Sequence, residues 1–296
     1  MTTQRGHIRI GLSGWNYPGW RGAFYPKGLR QRDELAYASR HVDTIEINGT
    51  FYSLQRPEFF AAWRAATPAD FVFGVKGGRF ITHMKRLRDV EAPLANFFAS
   101  GILALREKLG PFLWQLPPQL RFSEERIERF LSLLPRDSQS AVELARQHDD
   151  RIAGRALIET DWRQPLRHAI EIRHPSFLDP AFVRLLRRHR VALVIADAVD
   201  WPYAEDLTAD FLYLRLHGSH ELYASGYEAA ALDRWAVRIA LWASGDSPVD
   251  AALVLRDEPP ASCPMRDVYV YFDNDAKVRA PADAQALRRR LRQAPP

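Results

Sequence analysis

Apolar residues recur along this chain in two rhythms, one of period two and one of helical period. The clearest alternation is residues 42–48, Val-Asp-Thr-Ile-Glu-Ile-Asn, where Ile45 and Ile47 interleave with Glu46 and Asn48. That is the pattern of a strand with one face against helices and a polar opposite face. Residues 168–174 repeat it. Short apolar runs at residues 7–13, 71–76, 112–116, 191–196, 211–216 and 268–272 predict further strands. Between them the helical rhythm predicts helices over 32–40, 58–66, 93–109, 124–134, 180–189, 228–243 and 282–291. Pro57 opens the second of these, Gly110-Pro111 closes the third, and Ser123 is placed to cap the fourth. In the helix at 228–243, Leu232, Trp235, Ile239 and Trp242 share one face. Residues 135–167 form a longer connection with one or two helical pieces.

Eight strands alternating with helices imply a parallel sheet, and eight such units close into a (β/α)8 TIM barrel. An open doubly wound sheet is the competitor. Two irregularities are legible. About a dozen residues separate the sixth and seventh strands, too few for a crossover helix, so the sixth helix is degenerate. Residues 244–266 read as a proline-containing insertion before the eighth strand. At 296 residues the chain fits one α/β domain of this kind.

Composition narrows the class. One cysteine, Cys263, excludes an internal disulfide or a cysteine metal cluster and points to a reducing, cytoplasmic setting. The N-terminus has no signal-peptide pattern, and no run approaches the roughly 18 apolar residues of a membrane span. The net charge of +5 comes from arginine-rich stretches such as 187–188 and 288–290. It allows attraction to polyanions, though solvated helix faces account for such runs equally well.

Barrel active sites collect at the C-terminal ends of the strands. By alternation, the side chains facing that mouth are Glu46, Asn48, Lys76, Glu171, Arg173, Asp197, Tyr213, Arg215, His217, Tyr269, Tyr271 and Asp273. Glu46 and Glu171 are acid–base candidates, with His217 suited to proton transfer near neutral pH. A structural alternative pairs Glu171 with Arg215 and Glu46 with Lys76 as ion pairs. No cofactor is predicted. A divalent metal, if present, would be held by Glu46, Glu171, Asp197, His217 and Asp273, but no His-x-His or His-Glu-x-x-His spacing supports it. Trp15, Tyr17 and Trp20 in the loop after the first strand could stack on a sugar or base, or pack as a lid. Lys76, Arg79, His83, Lys85 and Arg86, beside Gly77-Gly78, are the phosphate-binding candidates. Gly-x-Ser-x-Gly, Gly-x-Gly-x-x-Gly and Walker-type loops are all missing from the sequence.

These residues resemble a known family. Residues 10–15 (Ile-Gly-Leu-Ser-Gly-Trp), 46–52 (Glu-Ile-Asn-Gly-Thr-Phe-Tyr), Lys76, 82–87 (Thr-His-Met-Lys-Arg-Leu), 116–118 (Leu-Pro-Pro), 171–176 (Glu-Ile-Arg-His-Pro-Ser), 216–218 (Leu-His-Gly) and 272–275 (Phe-Asp-Asn-Asp) are similar to the successive motifs of the domain of unknown function 72, or YecE-like, family. The resemblance spans nearly the whole chain. It implies a TIM barrel and no settled activity. Likeness of that fold to endonuclease IV and sugar isomerases is analogy only. The chain departs from the pattern in its 244–266 insertion and in carrying Asp273 where many members look to carry asparagine.

The expectation is therefore an enzyme using acid–base or hydrolytic chemistry on a phosphorylated or otherwise anionic small molecule, acting as a monomer. Trp15, Asn48, Tyr52, Lys76, Arg79, His83, Lys85, Arg173, His174, Arg215 and Asn274 would bind the substrate. The rivals are a non-catalytic binder of nucleic acid or of a phosphorylated ligand, and a metal-dependent phosphoesterase.

Overall fold

The structure, a computed structural model, describes residues 5–218, 226–274 and 277–293. Ser219, which no hydrolase motif surrounds, and Asp275 of the last motif lie outside the described residues.

Eight parallel strands run β1 (Ile8–Ser13), β2 (Thr44–Ile47), β3 (Val72–Lys76), β4 (Leu109–Gln115), β5 (His168–Glu171), β6 (Ala192–Asp197), β7 (Phe211–Leu216) and β8 (Asp267–Phe272). They close in sequence order, with β8 pairing β1. The barrel, not the open sheet, is the fold. Around it lie α1 (Glu34–Ala38), the single turn α2 (Gly49–Tyr52), α3 (Pro57–Ala66), α4 (Glu91–Ala99), α5 (Glu124–Leu133), α6 (Ser138–Ala145), α7 (Pro180–His189), α8 (Ala229–Ala243) and α9 (Arg279–Gln293). None of the described helices is long and apolar enough to cross a membrane.

Helix α7 shows how the sequence sets an element. The Asp179 side chain accepts a hydrogen bond from Ala181 N at 2.8 Å, and Pro180 occupies the first helical position. Phe182, Val183, Leu185 and Leu186 then bury one face. Arg190 ends the helix at φ 50°, in the left-handed region. Helix α5 forms as expected, but Ser123 makes no side-chain cap.

The expected helix over 93–109 is broken. Gly101, at φ 109°, turns the chain after α4, and a Cβ there would lie 2.4 Å from the Pro57 Cα. Residues Ile102–Lys108 make 3-10 turns, and β4 begins at Leu109, three residues before its expected start at Phe112. Gly110 and Pro111 thus fall inside a strand, where the β3–β4 register shifts. A proline lacking an N–H fits such an irregularity.

The degenerate sixth helix and the insertion turn out to be one device. Residues 198–210 carry no helix. Instead Glu205, 1% exposed, accepts from Ala252 N at 2.9 Å and from the Arg238 guanidinium. Asp206, 2% exposed, accepts from Val254 N and Leu255 N at 2.8 and 3.0 Å. The insertion therefore covers the flank that a helix would have covered, held by carboxylates bonded to its backbone.

Inside the barrel, Leu113, Ala169, Ala192, Val194, Ala196, Phe211, Tyr213, Tyr269 and Tyr271 pack as a separate cluster. Gly74 on β3 makes room, because a Cβ there would meet the Tyr271 hydroxyl at 2.7 Å and the Tyr213 hydroxyl at 3.1 Å. The two tyrosines stand with ring centroids 4.8 Å apart and lead from this floor to the polar layer above.

Candidate functional site

The polar layer is organised by Arg215, which is fully buried on β7. Its Nη1 donates to Glu171 Oε2 at 2.7 Å. Its Nη2 donates to Glu46 Oε1 at 2.9 Å, to Asp273 Oδ2 at 2.7 Å and to Ser13 Oγ at 3.0 Å. Four strand ends are thereby tied to one guanidinium. The oxygens of the two glutamates are further engaged. Glu46 Oε2 accepts from Tyr213 OH at 2.6 Å, Glu46 Oε1 from Ser13 Oγ at 2.7 Å, and Glu171 Oε1 from Arg173 Nε at 2.5 Å. Burial opposes ionisation of Glu171 and Asp273. For Glu171 the neighbouring Arg173 and Arg215, and for Asp273 the neighbouring Arg215 and His217, outweigh burial, so both carboxyls sit below their ordinary range. Burial likewise opposes the charge of Arg215, and the Glu46, Asp273 and Glu171 carboxylates overcome it.

His217 joins this network, with Nδ1 3.1 Å from Asp273 Oδ2 and Nε2 3.8 Å from Glu171 Oε2. Its ring centroid is 4.7 Å from that of Trp201, and the Arg173 guanidinium lies over the same tryptophan, 3.2 Å from the ring centroid. Glu46, Glu171, Arg173 and His217 are thus brought together, as the alternation of their strands requires.

Lys76 feels the charges of Arg215, Glu46, Asp273 and Glu171 without touching any of them. It is 9% exposed, and among the described residues its ammonium makes no ion pair or hydrogen bond; Nζ lies 4.7 Å from the Phe51 ring centroid. The expected Glu46–Lys76 pair is replaced by Glu46–Arg215. Burial first, then Arg215, pushes the Lys76 pKa below that of an ordinary lysine. Close by, His83 is pushed down to about 4 by burial and by the cations Lys76 and Arg173, so it is neutral at pH 7. The Asn48 side chain donates to Ser13 Oγ at 3.1 Å, and its carbonyl oxygen is buried without a partner among the described residues.

Other expected site residues are placed elsewhere. Asp197 belongs to the outward face of β6: Ala192, Val194 and Ala196 face the barrel interior, so Asp197 accepts from Tyr227 OH at 2.9 Å. Burial raises its pKa. The five-residue metal set does not converge, and Arg215 fills the space between its three inward carboxylates. Among the described residues no three His, Cys, Asp or Glu side chains are grouped to hold a metal ion. Asn274 turns to α9, donating to Asp283 Oδ2 at 2.8 Å. His174 caps the turn Pro175–Phe177 by accepting from Ser176 N at 3.1 Å. Trp15 packs edge-on to Trp63 at 5.3 Å, and Trp20 is buried, so both rings are engaged in packing. The basic loop after β3 contains a π-helical turn, Phe80–Met84. From it Arg79 projects to solvent, 5.8 Å from the ring centroid of Tyr52, which is 67% exposed. Lys85 is half-buried and Arg86, at φ 50°, is exposed.

Alternation named Tyr213 as inward without giving it a role, and it missed Ser13 and Trp201. Ser13 is the last residue of β1, just before Gly14, and Trp201 sits four residues beyond the end of β6. Position alone could have flagged both.

Three comparisons bear on identity. The sequence profile described as "Protein of unknown function DUF72" matches residues 9–296. The UPF0759 protein YecE of Escherichia coli K12 is 32% identical over 138 residues, 46% of this chain and 48% of that protein. The UPF0759 protein YunF of Bacillus subtilis is 27% identical over 125 residues, 40% of this chain and 43% of that one. The alignments span about half the length of these curated relatives. Among solved structures, a DUF72 family protein of Thermotoga maritima superposes with a TM-score of 0.71 at 22% identity, covering 97% of this chain and 100% of that one. One from Enterococcus faecalis gives 0.66 at 17% identity, covering 98% and 97%. These structures support the barrel alone. With its profile match running from the first strand to the end of the sequence, the chain belongs to the DUF72 family.

Proposed function

We propose that this protein is an enzyme acting on a phosphorylated or otherwise anionic small molecule at the C-terminal mouth of the barrel. The observation that carries this reading is Lys76, a buried ammonium facing the mouth that makes no ion pair or hydrogen bond among the described residues, the nearby Glu46, Glu171 and Asp273 being bonded to Arg215 instead. A desolvated cation is costly unless an anion approaches it, and a substrate phosphate or carboxylate supplies that anion. Arg173, with 10% side-chain exposure, offers a second cationic contact beside it.

The chemistry shifts from the carboxylates to the lysine. Glu46 and Glu171 have all their oxygens in hydrogen bonds and no exposure, so their part is to fix Arg215 and Arg173. An ammonium with a lowered pKa releases and recovers its proton more readily at neutral pH, and Nζ of Lys76 is the atom suited to proton transfer at a bound anion's reacting carbon or oxygen. His217 and Asp273 complete the wall.

A second reading, a non-catalytic nucleic-acid binder, draws on the exposed Tyr52 ring beside Arg79. Calorimetric titration with a panel of sugar phosphates, at low and moderate salt, separates the two. The enzyme reading expects saturable binding that weakens at least about tenfold in Lys76→Met and only modestly with salt. Unchanged affinity in Lys76→Met overturns it, and a steep salt slope with an oligonucleotide favours the binder.

A further inference from the structure

A wide cavity lies at the other end of the barrel. It holds about 990 Å³ and is bounded by residues at the N-terminal ends of the strands, among them Val72, Leu109, Asp210 and Tyr269, and by the insertion at 260–263. That volume suits a small-molecule ligand.

Of the arginines on its walls, Arg167 and Arg188 are paired with carboxylates, whereas Arg136, Arg187, Arg190 and Arg266 make no ion pair among the described residues. Arg266 is 3% exposed and bonds only carbonyl oxygens, those of Gly245 at 3.0 Å and Ala261 at 3.3 Å, while its Nε has no partner. Arg187 does the same with Leu207 O at 3.3 Å, Glu258 O at 2.7 Å and Pro259 O at 3.4 Å. Arg136 reaches Leu131 O and the His189 ring, both at 3.2 Å. Arg190 makes no side-chain contact of this kind among the described residues. By contrast Arg167, on the same wall, is paired with Asp267 and Asp210 at 2.6 and 3.2 Å. Carbonyl dipoles orient a guanidinium but leave its charge uncompensated, and for the buried Arg266 that is costly until a counter-anion arrives; Arg187 is half-buried, and Arg136 and Arg190 stand exposed at the rim, where they can meet the same anion.

We propose that this cavity is a second ligand site, separate from the mouth, that binds an oligophosphate. Guanidinium forks match phosphate oxygens in pairs, and several around one cavity call for several phosphate charges. The aromatic on the wall, Tyr269, is 7% exposed, so little ring surface is offered to a nucleobase. Charge is what the cavity reads. The insertion then has a purpose, because its carbonyls at positions 245, 258, 259 and 261 aim two of the arginines.

Cys263, the chain's one cysteine, lines this cavity and is half-buried, which gives a local reporter. Inorganic tripolyphosphate is the probe, added to the full chain during labelling of Cys263 with a thiol reagent, alongside calorimetry. Saturating probe is expected to slow labelling several-fold in both the wild type and Lys76→Met. In the double variant Arg136→Gln, Arg190→Gly, affinity should fall at least about tenfold. Glycine is at ease at the φ of 50° that Arg190 adopts, so the melting temperature of the double variant should hold or rise. Adenosine triphosphate should match tripolyphosphate. Labelling indifferent to the probe, or equal affinity in the double variant, overturns the site. Tighter binding of an oligoribonucleotide, or of the nucleotide over tripolyphosphate, overturns the assignment to bare oligophosphate.

Discussion

Arg215 and Arg266 are buried guanidinium groups, 0% and 3% exposed, at opposite ends of one barrel. Arg215 is surrounded by three carboxylates and a serine hydroxyl. Arg266 meets only carbonyl oxygens. The difference teaches that burial of a charge does not by itself mark a site: at the C-terminal end the Arg215 charge is internally neutralised and serves as scaffold, while Lys76 beside it makes no ion pair or hydrogen bond among the described residues. At the N-terminal end the buried Arg266 shares a wide cavity with the more exposed Arg136, Arg187 and Arg190.

The largest expected effect breaks the scaffold. Arg215→Met leaves three carboxylates crowded in the barrel and should cost about 3–5 kcal/mol or prevent folding, read from urea midpoints. Arg266→Met removes a charge that no carboxylate awaits, and its cost should be clearly smaller. Equal losses would dissolve the contrast between the two ends.

Acid should weaken the C-terminal end next. The carboxyls of Glu171 and Asp273 lie below their ordinary values of 4.5 and 3.8, so their contribution is complete above those values and is lost as pH falls below them. Melting temperature should drop between about pH 5 and about pH 3, and Asp273→Asn should flatten that drop. His83, held at about 4 against an ordinary 6.5, adds a loss of the same sign from 6.5 downward, because the unfolded chain takes up its proton first.

Lys76→Met should leave stability unchanged or slightly higher, since it removes a desolvated charge beside Arg215, while abolishing most anion affinity. A large loss of stability would make Lys76 part of the scaffold. Smallest of all is the exposed rim: changing Arg79 and Lys85 together to alanine should alter affinity for a sugar phosphate by no more than about threefold, as solvent screens such contacts. A tenfold loss would move the anion site outward onto the loop.

The architecture was legible because period-two alternation and strand spacing are local signals. Glu46, Glu171, Arg215 and His217 fell into one layer for the same reason. Asp197 did not, because the alternation on β6 has to be counted from its inward alanines and valine, and an apolar run hides the parity. The break at Gly101 depends on the close approach of Pro57, some 40 residues away in sequence, which no local window contains. The exchange of Glu46's partner from Lys76 to Arg215 was equally hidden, since it is set by side-chain reach across the barrel. The insertion looked like surplus loop until Glu205 and Asp206 were seen to hold it in place of a helix.

The central claim is that an anion enters at Lys76 while the carboxylates stay on Arg215. Crystals soaked in tungstate, a heavy-atom analogue of phosphate, test it most directly through anomalous scattering. The account predicts a peak at the C-terminal mouth within hydrogen-bonding reach of Lys76 Nζ and the Arg173 guanidinium, with Glu46, Glu171 and Asp273 still bonded to Arg215. A mouth without a peak near Lys76, or tungstate bound by Arg215 after it leaves its carboxylates, would contradict it.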